Sequence, residues 1–368
     1  MKRRNLSRRD FLKIAGASLG AAAFRPLEGI FPSGRYQFPE GERLGRVSVY
    51  PNYYSTALKA QPSESAATVG DLAEDSVVVW LREVVGTTAS WRTSKRWVET
   101  PDGYVYSPDL QPVRYLPNPP LAAMPEGKSG FWAEVTVPHV DLQLANPPAR
   151  SGWYKDALTH NFVPRLYYGQ VVWIDQITTG DTGQVLYRFN ERYGYGDLFW
   201  VDGATLRPIT ADEVSPISPD VDPAEKKIVV NATYQTLSCF EGEREVFFCR
   251  VSTGYEHENY STPRGELYTH RKLISIPMGA SSTDARSGYD TPAVAWPIFI
   301  SGQGIAIHAA FWHNDFGTPR SHGCINACAE DAKWLFRWTT PYVSLDQEEA
   351  SLSWPDHGTI VKVIERTF

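Results

Sequence analysis

The chain has 368 residues, 36 Lys and Arg against 42 Asp and Glu for a net charge of −6, and is 42% hydrophobic and 13% aromatic. That length accommodates two or three domains, and the apolar content supports packed cores and excludes a disordered chain. The mild negative charge, with no basic stripe, argues against nucleic acid as a partner.

Lys2-Arg3-Arg4 opens the chain and Ser7-Arg8-Arg9-Asp10-Phe11-Leu12-Lys13 follows. Ile14 to Phe24 is a weakly apolar run that contains Ala21-Ala22-Ala23. Basic, then apolar, then small residues is the order of an export signal. The stretch from Ser7 to Lys13 resembles the twin-arginine consensus, which implies export of an already folded protein to the cell wall or periplasm. The apolar run is too short to span a bilayer, so no membrane span is expected in the mature chain. A nucleic-acid arm is the competing reading of the basic residues.

A Pro- and Gly-containing linker is expected over 25–44. Short β-like runs follow at Gly45 to Val49, Ser76 to Trp80, Arg96 to Val98 and Tyr104 to Tyr106. Their order, the Gly70-Asp71 step and the closing Gly-Tyr-Val-Tyr resemble a bacterial SH3-like domain, placed at 45–115. Residues 130–212 read as a diverged second copy. Tyr104 to Val113 aligns with Trp200 to Ile209, each carrying a Leu and a Pro at matching positions. Such modules often bind wall peptide or glycan; the plain alternative is that they space or brace the domain that follows. The twelve Trp and nineteen Tyr stack on sugars or, more simply, fill β cores. Pro216 to Pro223 marks a second linker, taken as 213–225.

Strand-like runs dominate from 226 to 310. Cys239 and Cys249 flank the turn signal Glu241-Gly242-Glu243-Arg244, so a disulfide across a hairpin is one possibility, its register open. The most informative stretch runs from Gly304 to Asn326. Alternation of Ile305, Ile307 and Ala309 with Ala306, His308 and Ala310 predicts a strand that delivers His308 to one face. Gly317-Thr318-Pro319 predicts a loop. Ser321-His322-Gly323-Cys324 then places a thiol two residues from one histidine and sixteen from another. A thiol becomes a nucleophile when a base takes its proton, and imidazole suits that task near neutrality. Glu330 to Trp338 reads as a helix stopping before Pro341, which predicts that Cys324 sits at a loop-to-helix junction where backbone N–H groups favour a thiolate. Zinc is a second reading of His308, His313, His322, Cys324 and Cys328, but their spacings do not follow the usual close-pair patterns. A papain-like order fails, because only His357 follows Cys324.

The stretch resembles the catalytic motif of the L,D-transpeptidases, which rejoin the peptide stems of bacterial peptidoglycan. Ser321-His322-Gly323-Cys324 with His308 upstream carries the likeness, and Val251-Ser252-Thr253-Gly254, Thr262-Pro263-Arg264-Gly265-Glu266 and the closing run Gly358 to Ile364 extend it over roughly 226–368. Two positions depart from it: Ala309-Ala310 stands for Gly-Thr, and Asn326 stands where many members have arginine. The resemblance implies Cys324 as nucleophile, His308 as base held by the Ala309 carbonyl, His322 in support, and the Gly323 and Cys324 amides as oxyanion donors. It leaves substrate contacts to Arg320, Ser321, Asn326, His313 and Arg264. It implies peptide stems as partners and no metal or organic cofactor. The expected fold is mainly β: a β-sandwich or mixed-sheet catalytic domain at 226–368 after two small SH3-like barrels. A catalytically idle wall-binding protein is the alternative from another class.

Overall fold

The computed structural model describes residues 38–49, 54–256, 260–279, 290–353 and 355–366. The signal read over 1–24 lies outside them. The described chain is mainly β, as the short, β-branched and aromatic runs require. Among the described residues no helix is long and apolar enough to cross a membrane.

The first β unit has two sheets. Leu44–Val47 lies between Val77–Val79 and Leu110–Val113, and a five-stranded antiparallel sheet runs from Thr68–Ala73 at one edge, through the adjacent Ser55–Lys59 and Gly103–Tyr106, to Arg82–Val85 at the other. Val47, Leu58, Trp80, Val98, Val105 and Leu110 close on one another between them. The second unit is a six-stranded sheet whose centre is Val171–Thr179 and Val185–Asn190, with a core of Val135, Ile174, Tyr187 and Phe199. It also contains the helix Gly152–Thr159, which the sequence reading did not place. The two aligned endings fold alike: strand, one 3-10 turn (Ser107–Asp109 or Gly203–Thr205), strand. Asp202 caps the second of these turns by accepting from the Ala204 N–H.

The C-terminal domain packs two five-stranded sheets around one core. One contains Lys226–Asn231, Thr236–Glu241, Arg244–Arg250, Gly265–Tyr268 and Ile360–Ile364; the other contains Arg271–Leu273, Ile298–Phe299, Ala306–Ala309, Ile325–Ala327 and Glu349–Ser351. Each sheet is antiparallel except for one parallel pair, Lys226–Asn231 with Ile360–Ile364 and Ala306–Ala309 with Ile325–Ala327. Ile228, Val230, Ile298, Ile307, Ile325 and the inner face of the helix Ala329–Trp338 fill the space between. Trp132 and Val171 of the second unit belong to the same buried cluster, so that unit is packed onto this core.

Two lysines, both 0% exposed, end the helix. Lys226 Nζ donates to the Trp338 carbonyl (3.1 Å) and to the Ile217 carbonyl (3.0 Å). Lys272 Nζ donates to the Phe336 and Thr339 carbonyls. Amines on the last carbonyls satisfy the orphan acceptors, and burial, with Lys226 close by, pulls the Lys272 pKa well down.

Three expectations change. The segment 213–225 is not a free linker: Arg337 Nε donates to the Ser215 carbonyl (2.9 Å) and the Ile217 N–H to the Arg337 carbonyl (3.1 Å), laying it along the helix. Cys239 and Cys249 are free. They are two residues out of register, Cys239 opposite Phe247 and Cys249 opposite Leu237. Cys324 does not begin a helix either. A three-residue strand, Ile325–Ala327, intervenes, and the residue before the helix is Cys328. That strand is too short for its period to be read, and it exists because two neighbours pair with it: Ala306–Ala309 on one side and Ser252 on the other.

Candidate active site

The site is built where the Ala306–Ala309 strand meets the turn before Ile325. His308 and Asn326 are register partners in the parallel pair, so the chain leaves the sheet after Ala309 and returns at Ile325 beside its own starting point. Residues 310–324 form the excursion.

The turn carrying the thiol is held from inside and from behind. Ser321 Oγ accepts from the Gly323 N–H (3.1 Å) and donates to the Cys324 carbonyl. The Thr262 hydroxyl donates to the Gly323 carbonyl (2.8 Å) and accepts from the Gly254 N–H (2.9 Å). Arg320 and Ser321 amides donate to the Thr253 carbonyl (2.9 and 3.2 Å), and the Tyr255 N–H donates to the Ser321 carbonyl (3.0 Å). Ser252 and Asn326 exchange two backbone bonds of 2.9 and 2.8 Å. The runs Val251 to Gly254 and Thr262 to Glu266 were noticed in the sequence; their physical role is to buttress this turn.

Gly323 has φ +122°, and a Cβ there would stand 2.7 Å from Ile305 Cδ1. A Cβ on Gly254 would meet the Tyr260 carbonyl at 1.9 Å and the Gly323 amide nitrogen at 2.8 Å. Backbone cannot yield to that as a flexible side chain would. Gly254→Ala is therefore expected to push the Cys324 turn out of place, costing about 1–3 kcal/mol in a urea melt and most of the thiol's reactivity toward iodoacetamide. Wild-type reactivity in this variant would show that the turn is not held from behind.

Cys324 is half-buried, with Sγ 3.9 Å from the Gly304 carbonyl. Burial pushes the thiol pKa up, and the Ala306 N–H beside it works the other way. The helix-terminus argument for a thiolate falls with the missing junction, and the thiol rests protonated. His308 is 3% exposed and its Nδ1 lies 3.0 Å from the Ala309 carbonyl. A carbonyl only accepts, so Nδ1 holds the proton and Nε2 presents a lone pair. Burial pulls the His308 pKa down to about 4, the Ala309 bond opposing it. The His308 imidazole and the Cys324 thiol thus both rest neutral.

His313, also buried, accepts the Asp315 N–H at Nδ1 (3.2 Å), and its Nε2 is 3.0 Å from the Asn326 side-chain amide nitrogen. A neutral imidazole accepting at Nδ1 carries its proton on Nε2 and requires an acceptor there. The Asn326 amide oxygen, which has no other partner, supplies it after a half-turn of the amide. Burial, then Arg320, then His308 hold the His313 pKa down to about 3.

Other residues named from the sequence stand apart. His322 is exposed, its ring edge-on to Tyr260 at 4.5 Å and 6.4 Å from Tyr255. Arg320 Nε lies 3.5 Å from Asp315 Oδ2. Arg264 pairs with Glu256 (2.6 Å) and Glu365 (3.3 Å) and donates to the Thr262 carbonyl. Asn326 is 1% exposed and its amide faces His313, so it braces the site from inside rather than facing a substrate. Asn314 and Ala306 were not singled out in the sequence, and no spacing marks them. Among the described residues no group of three or more His, Cys, Asp or Glu is placed to hold a metal.

The buried imidazoles make a stability prediction. His139 and His308 are held down to about 4 and His313 to about 3, against 6.5 for a free imidazole. The unfolded chain therefore takes up these protons first. Their contribution is fully present above about pH 6.5 and is lost as pH falls through about 4 and then 3, on the order of a few kcal/mol each. Urea midpoints should drop between about pH 7 and pH 4.5, and His313→Gln should shrink the drop.

Residues 225–363 match the YkuD family model, the L,D-transpeptidase catalytic domain. The match covers both sheets, the helix and the whole Ser321 to Cys324 turn of this YkuD-type domain. No curated protein matches the chain. Among solved structures, an Enterococcus faecium L,D-transpeptidase is 21% identical over 38% of this chain and 50% of its own, with TM-score 0.29. The chain thus spans half the length of that protein. A Mycobacterium smegmatis L,D-transpeptidase is 18% identical over 49% of this chain and 90% of its own, TM-score 0.30. L,D-transpeptidase 3 from Mycobacterium tuberculosis, solved with a faropenem-derived adduct, is 20% identical over 49% of this chain and 90% of its own, TM-score 0.30.

Proposed function

We propose that this protein is a cysteine-dependent peptidoglycan L,D-transpeptidase. One observation carries the reading within the YkuD-type domain: a neutral His308, its Nδ1 proton spent on the Ala309 carbonyl and its Nε2 open, on the strand paired with the residues that follow Cys324.

In this reading Cys324 Sγ attacks the carbonyl before the terminal D-residue of a donor stem, and His308 Nε2 takes the thiol proton as the C–S bond forms. The oxyanion is met by the Cys324 N–H; the Gly323 N–H, already donating to Ser321 Oγ, mainly fixes the turn. Collapse breaks the C–N bond, His308 returns the proton to the leaving amine, and a thioester remains on Cys324. An acceptor amine then attacks the thioester, His308 receives its proton, and the thiol is regenerated with a new amide. Water in place of the amine gives carboxypeptidase activity. Arg320 and His322, on the outer side of the turn, are the candidates for orienting the stem, with Ser321 and His313 shaping the turn beneath. No organic cofactor enters these steps.

A wall substrate requires export, for which the twin-arginine reading of 1–24 supplies the route. The two N-terminal units, read as SH3-like, brace the YkuD-type domain. Incubation with defined muropeptides tests the reading: a mass increment on Cys324 equal to the acylated stem, followed by a cross-linked product, is expected. Binding to muropeptides without any increment would favour the idle wall-binding protein.

A further inference from the structure

Among the described residues, hydrogen bonds from the first β unit to the YkuD-type domain converge on the segment Phe311 to Asp315. Arg46 is 1% exposed, and its Nη2 donates to the Phe311 carbonyl at 2.9 Å. The rest of the guanidinium is committed to Gln111 (2.9 Å), Asp75 (2.7 Å) and Ser48 (3.2 Å) of its own unit, so it cannot swing away. Its plane lies 4.0 Å from the centre of the Tyr167 ring, which also stacks on Phe311 with ring centres 5.2 Å apart. Three residues on, Arg96 donates to the Asn314 carbonyl (3.2 Å), and the Asn314 N–H donates to the Pro108 carbonyl (3.2 Å). Asn314 Nδ2 donates to the Ser107 carbonyl (3.2 Å). Asn314 is 7% exposed, so these bonds are shielded from water.

The gripped segment is the first part of the excursion between the base and the nucleophile. It begins two residues after Ala309, whose carbonyl orients His308, and it carries His313, whose ring meets the Asn326 amide two residues beyond Cys324. We propose that Arg46 and Asn314 are positioning residues for the reaction, which makes the first β unit a working part of the active centre and not a spacer. They act through the Phe311–Asp315 segment: Arg46 fixes its entry, Asn314 its exit, and His313 between them is pressed onto Asn326. Displacement of the reacting groups by about an ångström is enough to cost one to two orders of magnitude in rate.

The inference rests on the proposed cysteine chemistry, and the experiment separates the two. In the full chain, Asn314→Ala removes the side-chain bond to Ser107 while leaving every bond of Arg46 in place. It is expected to lower kcat with a donor stem about tenfold, to slow iodoacetamide alkylation of Cys324 by a similar factor, and to leave KM within about twofold and the melting profile nearly unchanged. Arg46→Met is expected to do the same more strongly. If Arg46→Met does not fold, Asn314→Ala decides alone. Unchanged kcat and alkylation in folded Asn314→Ala would overturn the inference. So would a raised KM with kcat preserved, since a purely structural or substrate-binding junction would give that pattern. Should Cys324→Ala remain active, the proposed function itself fails; should Cys324 be required while Asn314→Ala behaves as wild type, only the positioning role fails.

Discussion

Cys324→Ala is expected to remove acyl transfer, a loss of at least about 10⁴-fold in kcat, while the protein remains folded. In the proposed mechanism the sulfur is the covalent attachment point, and no other group in the turn can replace it. Ser321 Oγ is committed to the Gly323 amide and the Cys324 carbonyl. Cys239 and Cys249 are buried between strands with thiols pushed well up by burial. The half-buried Cys328 lies at the start of the helix, beside Asp331, which also raises its pKa. The turn's shape is set by backbone bonds to Thr253 and Tyr255 and by the Thr262 hydroxyl on the Gly323 carbonyl, none of which the substitution touches. A urea melt should shift by no more than about 1 kcal/mol. Product formation by the variant, read by mass spectrometry of muropeptides, would end the thioester reading. Cys239→Ala and Cys249→Ala should stay active.

His308→Ala is the second large effect. A general base in this geometry contributes about 10²–10⁴-fold, and a loss of that size in acylation is expected. The pH dependence separates base catalysis from a resting ion pair. With the imidazole held to about 4 and the thiol raised by burial, wild-type kcat/KM should hold down to about pH 4, far below the 6.5 of a free imidazole. Alkylation of Cys324 should climb with pH through the neutral range, because the thiolate is scarce until the pH reaches the raised thiol pKa. In His308→Ala alkylation near pH 7 should be slower, and the two proteins should converge once the thiol ionises unaided. An alkylation rate flat from about pH 6 to 9 in the wild type would instead mark a thiolate–imidazolium pair. His322→Ala should lower turnover with a smaller effect on the thiol; the reverse ranking would exchange the two histidines.

Much of this was legible in the chain because it is written in local pattern. The alternation around His308 marks a strand, Glu330 to Trp338 a helix, and Ser321 to Cys324 a sharp turn with a thiol. The two N-terminal endings were visible as one aligned decapeptide, though not the 3-10 turn that both contain. What failed depends on partners distant in sequence. Ile325–Ala327 is a strand because Ile307 and Ser252 pair with it, so the helix dipole predicted for Cys324 was misplaced by one element. Asn326 reads as a substrate contact by position, yet the fold turns it inward to His313. Arg46, 265 residues before Phe311, has no sequence mark at all. Cys239 and Cys249 look like a hairpin pair, but the register of the two strands places Phe247 opposite Cys239 and Leu237 opposite Cys249.

The buried lysines at the end of the helix Ala329–Trp338 bear on how the domain moves. Lys226 belongs to one sheet and Lys272 to the other, and they grip neighbouring carbonyls at the same helix end, Trp338 for the first and Phe336 and Thr339 for the second. The helix end is thus a rivet through the sandwich. Shear of one sheet over the other would have to strip a buried amine of its acceptors in a dry interior, a penalty of about 2–7 kcal/mol. The sandwich is thus a rigid anvil beneath the Cys324 turn, and in the proposed reaction any opening that admits first a donor stem and then an acceptor falls to the loops above it.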